Sequence, residues 1–432
     1  MNDQDKGVVP VLPSAAGATN IWLRVGTLLD GTSTTPARDA HVVYNGTAIQ
    51  FVGREGRTPH RELLRPGQDK PDLDASNCTL LPGLIEAHAH LFLEGGELAR
   101  DRRAATVKQP AAELLAGAHD RLEKLVRLGV AGVRDAGDKD GVGLALSKLC
   151  ASGNRPLMPY VESPGSAIHH RGRYGSFMGG AIEDFASLHD CVADRVKTGA
   201  DRIKLIPTGI IDFKKAQVTS LPQMSLDEVT QLVAAAKSFN RQTFAHASGD
   251  AGIEYVIEGG VDSVEHGFFV RDGQLARMRD RRTAWVPTFA PVQEQIDHAD
   301  LMGWSAEIAA NLRGIIERHS ASLVRAHAMG VLIVAGSDAG SVGVAHGIGL
   351  INELVLMERA GLPSIAVVNA ATGVSANRFG YKEKFGRIEP GYLSRFILTC
   401  HSPLETVANL HRPRTVVFDG EVFSSEVDVA GL

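Results

Sequence analysis

Five polar residues stand where short apolar runs of this sequence end. His88 and His90 close LPGLIEAHAH, His246 closes QTFAHA, His266 closes VDSVEH and Asp338 closes VLIVAGSD. An unpaired polar group in such a run costs about 1–3 kcal/mol. A shared metal ion would remove this cost, because imidazole and carboxylate groups are ligands for zinc and also for manganese, iron or cobalt. Taken together, the five residues favour a metal site over histidines satisfied within a core.

The spacing of His88 and His90 fits this interpretation. Residues two apart on a β-strand point to the same face, so both imidazoles can reach one ion. An isolated His-x-His pair is more often two ordinary histidines. The prediction therefore depends on the polar ends of the other strands as well.

Lys204, in the apolar segment RIKLI, is a sixth candidate. A lysine there is also compatible with an ion pair or with a side chain that extends to solvent. A neutral lysine amine reacts with carbon dioxide to give a carbamate, which resembles a carboxylate and can bridge two cations. An ammonium group beside two metal ions would instead be repelled. The residues alone leave both interpretations open.

The elements that must position these residues form a repeating pattern. A helix, a glycine and an apolar strand recur at Gly129, Gly199, Gly260 and Gly330, which is typical of βα units. Eight segments predict strands: LPGLIEAHAH, VAGVRDAG, PLMPYVES, RIKLIPTG, QTFAHA, VDSVEHG, AWVPTF and VLIVAGSD. An S-x-x-E capping box, Ser225 to Glu228, predicts the start of one helix.

The 250 residues between His88 and Asp338 match the usual length of a (β/α)8 barrel. An open doubly wound sheet is the rival, but it would need a glycine-rich loop after its first strand. GLIEAHAH contains no such loop. We therefore predict an α/β fold with a (β/α)8 TIM-type barrel over residues 81–390, and with the site at the carboxyl ends of its strands.

The two ends of the chain predict a second unit. Residues 20–80 and 391–428 both contain short alternating strands, with hairpin signals at Asn45-Gly46 and Asp419-Gly420. We expect these two segments to form a small β-sandwich together.

Composition excludes several classes of protein. The 432 residues are 44% apolar and carry a net charge of −5, which excludes intrinsic disorder and argues against a nucleic-acid or membrane partner. We find neither a spanning apolar run nor a signal peptide. The four cysteines form no CxxC pair, and a disulfide framework is not expected in so long a chain. We expect a cytoplasmic homo-oligomeric enzyme with a small-molecule substrate.

These segments together resemble the amidohydrolase superfamily, from about residue 20 to residue 424. The resemblance is carried by LPGLIEAHAH, ADRIKLIPTG, FAHASGDAGIEYVIEGGVDSVEHG, VAGSDAG with AHGIGLINELVLMERAGL, and the tail AATGVSANRFG and FGRIEPGYLSRFIL. The chain is most similar to imidazolonepropionase-like proteins and to dipeptidases of the Xaa-Pro (prolidase-like) and Arg/Lys type. Lys204 favours the binuclear dipeptidase-like branch. Relatives usually carry Ala-Asp-Leu where this chain has Leu393-Ser394-Arg395, a difference that bears on the sandwich.

The resemblance implies two divalent metal ions, zinc or alternatively manganese, iron or cobalt. His88 and His90 would hold one ion with Asp338, His246 and His266 would hold the other, and N-carboxylated Lys204 would bridge them. Water activated by the ions would attack an amide carbonyl, and Asp338 would transfer its proton to the departing nitrogen.

The resemblance further implies that the substrate is an N-acyl amino acid or a dipeptide. Hydrolysis of a carbamate, an aryl urea or a cyclic amide is the alternative. An alternative of another class is a barrel that has lost catalysis and acts as a binding protein.

The loop SPGSAIHHRGRYGSFMGGA follows the third predicted strand. Arg171 or Arg173 could clamp a substrate carboxylate there, although a solvated loop is equally compatible with the sequence. By the resemblance, His170 would polarise the substrate carbonyl, and its neighbour His169 would contact the substrate. His346, beyond the last strand, is expected to support the site from outside.

Overall fold

The computed structural model describes residues 10, 12–15, 17, 19–152 and 156–425. Residues 426–428, which we assigned to the sandwich, lie outside the described residues, as do residues 1–9 of the stretch in which we found no signal peptide. The described strands are β1 (Ile21–Leu28), β2 (Ala37–Tyr44), β3 (Ile49–Gly53), β4 (Leu73–Pro82), β5 (Leu84–Ala89), β6 (Val130–Asp135), β7 (Tyr160–Glu162), β8 (Ile203–Leu205), β9 (Thr243–Ala247), β10 (Ser263–His266), β11 (Ala284–Val286), β12 (Arg395–Thr399), β13 (Arg414–Phe418) and β14 (Glu421–Ser425).

The α-helices lie between β5 and β12. They are α1 (Arg100–Val107), α2 (Ala111–Arg127), α3 (Val142–Cys150), α4 (Leu188–Thr198), α5 (Leu226–Ser238), α6 (Asp250–Gly259), α7 (Asp272–Arg281), α8 (Ala290–Asp297), α9 (Ala306–Met329), α10 (Ile348–Arg359), α11 (Ser364–Ala370) and α12 (Gly373–Phe379). Among the described helices, none combines the length and apolar character needed to cross a bilayer.

Both chain ends contribute to one unit. Its seven strands form a single sheet in the order β14-β13-β12-β4-β1-β2-β3. The two predicted hairpins are confirmed, because β2 pairs with β3 and β13 pairs with β14, both antiparallel. This sheet has its own apolar core, which includes Leu23, Val42, Leu80 and Phe396.

A disulfide in this sheet corrects our expectation for the cysteines. Cys78 and Cys400 are bonded, with a Cα–Cα distance of 4.0 Å. They follow the antiparallel register of β4 and β12, in which Thr79 lies opposite Thr399. Chain length argues against disulfides that replace a core, but it does not exclude one bond between neighbouring strands. Cys150 and Cys191 are buried.

Between the chain ends lies a TIM-barrel-like α/β arrangement. Strands β5, β6 and β7 form one parallel sheet, and β8 to β11 form another. Isolated parallel bridges join residues of these sheets to residues outside them: Leu205 with Ile168, Trp285 with Ile333, and Ala89 with Ala339.

The eighth predicted strand, VLIVAGSD, does not form a regular strand. Its Ser337 N–H donates to the Glu86 carboxyl group at 2.9 Å, and its hydroxyl donates to the same group at 2.5 Å. The Glu86 carboxyl group therefore accepts a hydrogen bond from a backbone N–H that would pair with a neighbouring strand in a regular sheet. The segment still lies beside β5, since the Asp338 N–H donates to the His88 carbonyl at 2.7 Å.

Helix ends follow the local rules expected from the sequence. The capping box at the start of α5 is confirmed, with the Ser225 N–H donating to Glu228 at 2.8 Å. Gly199, Gly260 and Gly330 cap α4, α6 and α9 with positive φ angles, as expected for glycine in this position. These short connections place the end of each of these helices close to the start of the next strand segment.

Candidate metal centre

One cavity of about 620 Å³ gathers all six residues for which the sequence predicts a metal-binding role. They are His88, His90, Lys204, His246, His266 and Asp338. All of them are buried except His90, which is half-buried. The strand ends that are far apart in the sequence are therefore neighbours at one mouth of the fold, as expected for a TIM-barrel-like arrangement.

His88 is held in one orientation by a buried acid. Its Nδ1–H donates to Glu265 Oε2 at 2.6 Å, which directs Nε2 towards Asp338, 3.6 Å away. His90 Nε2 lies 3.4 Å from the same Asp338 oxygen, and its Nδ1 donates to the Gly137 carbonyl. The imidazoles of His88 and His90 thus face one carboxylate oxygen.

His266 and His246 complete the ring of imidazoles. Their centroids are 4.5 Å apart, and the ring of His266 lies 5.0 Å from that of His88. His266 Nδ1 lies 2.7 Å from the Thr288 hydroxyl. His246 Nε2 donates to the Gly209 carbonyl at 3.2 Å, which leaves Nδ1 as its nitrogen with a lone pair.

These donor atoms fit a metal ion. Among the described residues, His88, His266 and Asp338 each offer one ligand atom, and the three atoms lie within 4.8 Å of one another. His88 Nε2 and Asp338 Oδ1 are buried and have no hydrogen-bond partner, which costs about 1–3 kcal/mol for each atom if nothing binds them. Imidazole nitrogens with a carboxylate oxygen are a donor set suited to zinc and similar ions.

The protonation states also suit metal binding. Burial lowers the pKa of His246 to about 4 and moves the pKa values of His88 and His266 well below the usual range. Burial alone would raise the pKa of Asp338, but the adjacent His90 and His88 outweigh it and lower that pKa to about 2. Neutral imidazoles and an ionised carboxylate are the forms that bind metals.

Lys204 is buried at the base of this group, with its Nζ 4.8 Å from the centre of the Phe244 ring. Burial lowers the pKa of its amine to about 8, although Glu265 opposes the shift. About a tenth of the amine is therefore neutral at pH 7, far more than for a lysine with the ordinary pKa. The neutral amine is the form that can react with carbon dioxide.

The backbone at the site is unusual. His266, Asp338 and Thr288 have φ angles of +67°, +58° and +51°, a region that residues other than glycine seldom adopt and that is enriched at functional sites. The turn at His266 interrupts the alternation of β10. Glu265 and His266, although adjacent in sequence, therefore both reach His88.

Sequence reasoning missed the network beneath the site. Arg134 on β6 donates to both oxygens of Glu265 at 2.9 and 2.8 Å, and the Ser263 hydroxyl donates to Glu265 Oε1 at 2.6 Å. The signal was present, because Arg134 and Glu265 are charged residues inside the apolar strand segments VAGVRDAG and VDSVEHG. A charge at such a position needs a buried partner.

The structure does not bring His170 and His169 into the cavity. His170 Nδ1 and Nε2 contact Glu183 at 2.7 Å and Glu228 at 3.1 Å. His169 is buried and contacts two backbone carbonyls, those of His170 and Gly179. The imidazole of His169 is thus engaged within the loop, and that of His170 is engaged by Glu183 beyond the loop and by Glu228 on α5.

Arg171 and Arg173 also lie apart from the six ligand candidates. Arg171 is exposed and pairs with Asp184. Arg173 lines a neighbouring cavity of about 530 Å³, which shares Tyr174 with the main cavity. Tyr174 of this loop lies close to the ligand candidates, with its ring 5.1 Å from that of His246, and Phe177 and Met178 of the same loop also line the main cavity.

Two arginines that the sequence did not single out, Arg100 and Arg103 on α1, line the main cavity together with Phe213 and Trp304. His346 contacts the Leu93 carbonyl through Nε2 at 3.0 Å and does not line the cavity.

Comparison with known proteins identifies the family. A family model described as the amidohydrolase family matches residues 79–423. The chain belongs to the amidohydrolase family. Membership confirms the resemblance seen in the sequence motifs, and it makes the protein a hydrolase of amide bonds.

Individual relatives of this amidohydrolase are similar over nearly the whole chain. Ochratoxinase of Aspergillus niger is 24% identical, and the alignment covers 96% of this chain and 88% of that protein. The crystal structure of a Xaa-Pro dipeptidase with bound methionine is 25% identical, with a TM-score of 0.77 and coverage of 94% and 100%. Molinate hydrolase shares the fold at 17% identity, with a TM-score of 0.72 and coverage of 98% and 96%.

Proposed function

We propose that this amidohydrolase is a binuclear metal enzyme that cleaves an N-acyl amino acid or a dipeptide. The observation that carries the proposal is the buried cluster of four histidines, Lys204 and Asp338 in one cavity, with unpartnered atoms on His88 and Asp338. We further propose that the eight predicted strand segments close into a (β/α)8 barrel, and that the seven-stranded terminal sheet folds onto itself as the accompanying small β-sandwich.

In this proposal, His88, His90 and Asp338 hold one divalent ion, and His246 and His266 hold the second. Zinc is proposed, with manganese, iron or cobalt as alternatives. Bound there, the ions would acidify a water molecule and polarise the substrate carbonyl. N-carboxylated Lys204 would be the ligand shared by both ions.

The chain's own residues have distinct parts in the reaction. Glu265 fixes the Nδ1–H of His88 and so keeps its Nε2 free. Asp338, ionised and facing His88 and His90, would accept a proton at its carboxylate and deliver it to the leaving nitrogen. The apolar lining of the cavity would limit the access of bulk water.

The relatives support the substrate class. Ochratoxinase and a Xaa-Pro dipeptidase align over nearly the full chain. Hydrolysis of a carbamate, aryl urea or cyclic amide is the alternative. Molinate hydrolase is similar to this chain in fold alone. An inactive binding protein is disfavoured, because every ligand position is filled by a residue that can coordinate.

Metal analysis and substrate screening test this function. We expect about two divalent ions per chain by elemental analysis, and loss of activity on chelation that is restored by zinc. An N-acyl amino acid library should be hydrolysed in preference to an aryl carbamate panel. Fewer than about one ion per chain, with no gain on added zinc, would contradict the proposal.

The location of the protein and its partners are separate proposals. We propose a cytoplasmic homo-oligomer that binds a small molecule and no nucleic acid or membrane. Light scattering during size-exclusion chromatography tests the oligomeric state, and a single-chain mass would contradict it.

A further inference from the structure

Arg103 projects into the cavity from the helix that follows the first barrel strand. Its Nη2 donates to the Gly340 carbonyl at 2.8 Å, and its Nη1 approaches the Glu94 carbonyl at 3.3 Å. Gly340 lies two residues after Asp338. The guanidinium group is therefore held beside the loop that carries Asp338, and it lines the same cavity as the six ligand candidates.

Among the described residues, Arg103 forms no direct ion pair with an acid, although the charges of Asp338, Glu97 and Glu94 act on it at longer range. Within the part of the chain that the structure describes, both hydrogen bonds of its guanidinium go to backbone carbonyls, and no carboxylate lies within 4.0 Å. The adjacent Arg102 differs, because it points away from the cavity and pairs with Glu97 at 2.5 Å. A guanidinium has five N–H donors, so Arg103 retains donors for a ligand.

The remaining walls near α1 are aromatic. Arg100 lies over the Trp304 ring, with its Cζ 5.7 Å from the centroid, and Phe213 packs edge-on against Trp304 at 6.0 Å. This part of the cavity thus combines the half-buried Arg103 with aromatic side chains, and the more exposed Arg100 and Lys214 also line it. A ligand that fits it has a single carboxylate and a bulky apolar group.

We propose that Arg103 binds the free carboxylate of the substrate and so selects N-acyl amino acids over the corresponding amides. The inference rests on the proposed function and assigns to Arg103 the role that the sequence suggested for Arg171 or Arg173. Because a guanidinium fork binds a carboxylate through two parallel hydrogen bonds, lysine would replace it only in part.

The test compares two probes, N-benzoyl-L-leucine and N-benzoyl-L-leucinamide, on the full-length metal-loaded enzyme. We expect R103M to lower kcat/KM for the acid about 10- to 100-fold, mainly through KM, and to leave hydrolysis of the benzoyl bond of the carboxamide within about twofold. The kcat/KM of R103K for the acid should lie between the values of wild type and R103M. R102M is the matched control and should behave as wild type.

Calorimetric binding of both probes to D338N protein separates the two proposals. If the enzyme cleaves both probes but R103M affects them equally, the assignment of Arg103 is overturned and the proposed function stands. If neither probe nor any N-acyl amino acid or dipeptide is cleaved, but the acid binds D338N more tightly than D338N/R103M, the proposed function fails and the assignment of Arg103 to a ligand carboxylate stands. Failure of the acid to bind in preference to the carboxamide would overturn the assignment.

Discussion

At the scale of single residues, the site depends on side chains whose hydrogen bonds leave one atom free. His88 uses Nδ1 for Glu265 and has no partner for Nε2, and Asp338 has none for Oδ1. Burial of such atoms is costly unless something binds them. A bound metal ion therefore explains the cluster better than core packing does.

Asp338 is proposed to be a proton carrier as well as a ligand, which the substitution D338N separates. Asparagine keeps the shape of the side chain but cannot accept a proton at neutral pH. We expect kcat to fall by several orders of magnitude while metal remains largely bound. Steady-state kinetics with elemental analysis check this, and D280N, an exposed change on α7, is the control. Near-normal kcat in D338N would rule out the proton role.

Glu265 does not line the cavity and contacts His88 instead, so we expect it to be a positioning residue. The change E265Q removes the charge that orients the His88 imidazole and leaves Arg134 without its buried counter-ion. Metal affinity should fall about 10- to 100-fold.

Competition with a chelator measures this affinity, and circular dichroism checks the fold of E265Q. The matched control is E254Q, which removes an ion pair with Arg277 on the helical surface and should leave affinity unchanged. Equal metal affinity in E265Q and wild type would contradict the positioning role of Glu265.

At the scale of elements, the segment VLIVAGSD must approach β5 closely for Asp338 to reach His88. Gly336 permits this approach, because a Cβ there would lie 2.8 Å from the His88 backbone nitrogen and 2.7 Å from Val286 Cγ1. Contacts this short force backbone to move. A residue with no chemistry of its own thus sets the spacing of two ligands.

Substitution of Gly336 by alanine tests this spacing. We expect G336A to destabilise the fold by about 1–3 kcal/mol and to weaken metal binding, measured by denaturant unfolding and chelator competition. The control is G314A in α9, where an added Cβ meets nothing within 4 Å. That change should stabilise the helix by about 0.5–1 kcal/mol. Wild-type metal affinity in G336A would show that β5 tolerates a wider separation.

At the scale of the whole molecule, stability is coupled to pH through a histidine that binds no metal in our proposal. His319 on α9 is buried, stacks on Phe268 at 4.1 Å and donates to the Pro287 carbonyl. Burial lowers its pKa to about 4. The folded protein therefore keeps this imidazole neutral where an unfolded chain would protonate it.

The direction of the pH effect follows from this depressed pKa. The contribution of His319 to stability is complete above pH 6.5 and is lost as pH falls towards 4, in total on the order of 3 kcal/mol. In H319Q, which keeps a donor but does not titrate, the free energy of unfolding should fall less steeply between pH 6.5 and 4. Urea unfolding at several pH values measures both slopes. If the free energy of unfolding depended on pH equally in wild type and H319Q, the proposed contribution of His319 would be contradicted.

The sequence by itself determined the candidate ligands at the strand ends and the start of one helix. His88, His90, His246, His266 and Asp338 were recognisable because a polar residue at the end of an apolar run is a local signal. Strand alternation predicts the shared face of His88 and His90, whereas the positive φ angles of His266 and Asp338 place these two side chains independently of it. The capping box at Ser225 is equally local.

The tertiary structure alone decided how distant segments meet. It pairs Glu265 with Arg134, joins Cys78 to Cys400, and places Arg103 in the cavity while His170 lies outside it. These contacts connect residues far apart in the chain or depend on the path of a loop. No spacing rule specifies them, because packing of the whole chain sets which side chains share a buried space.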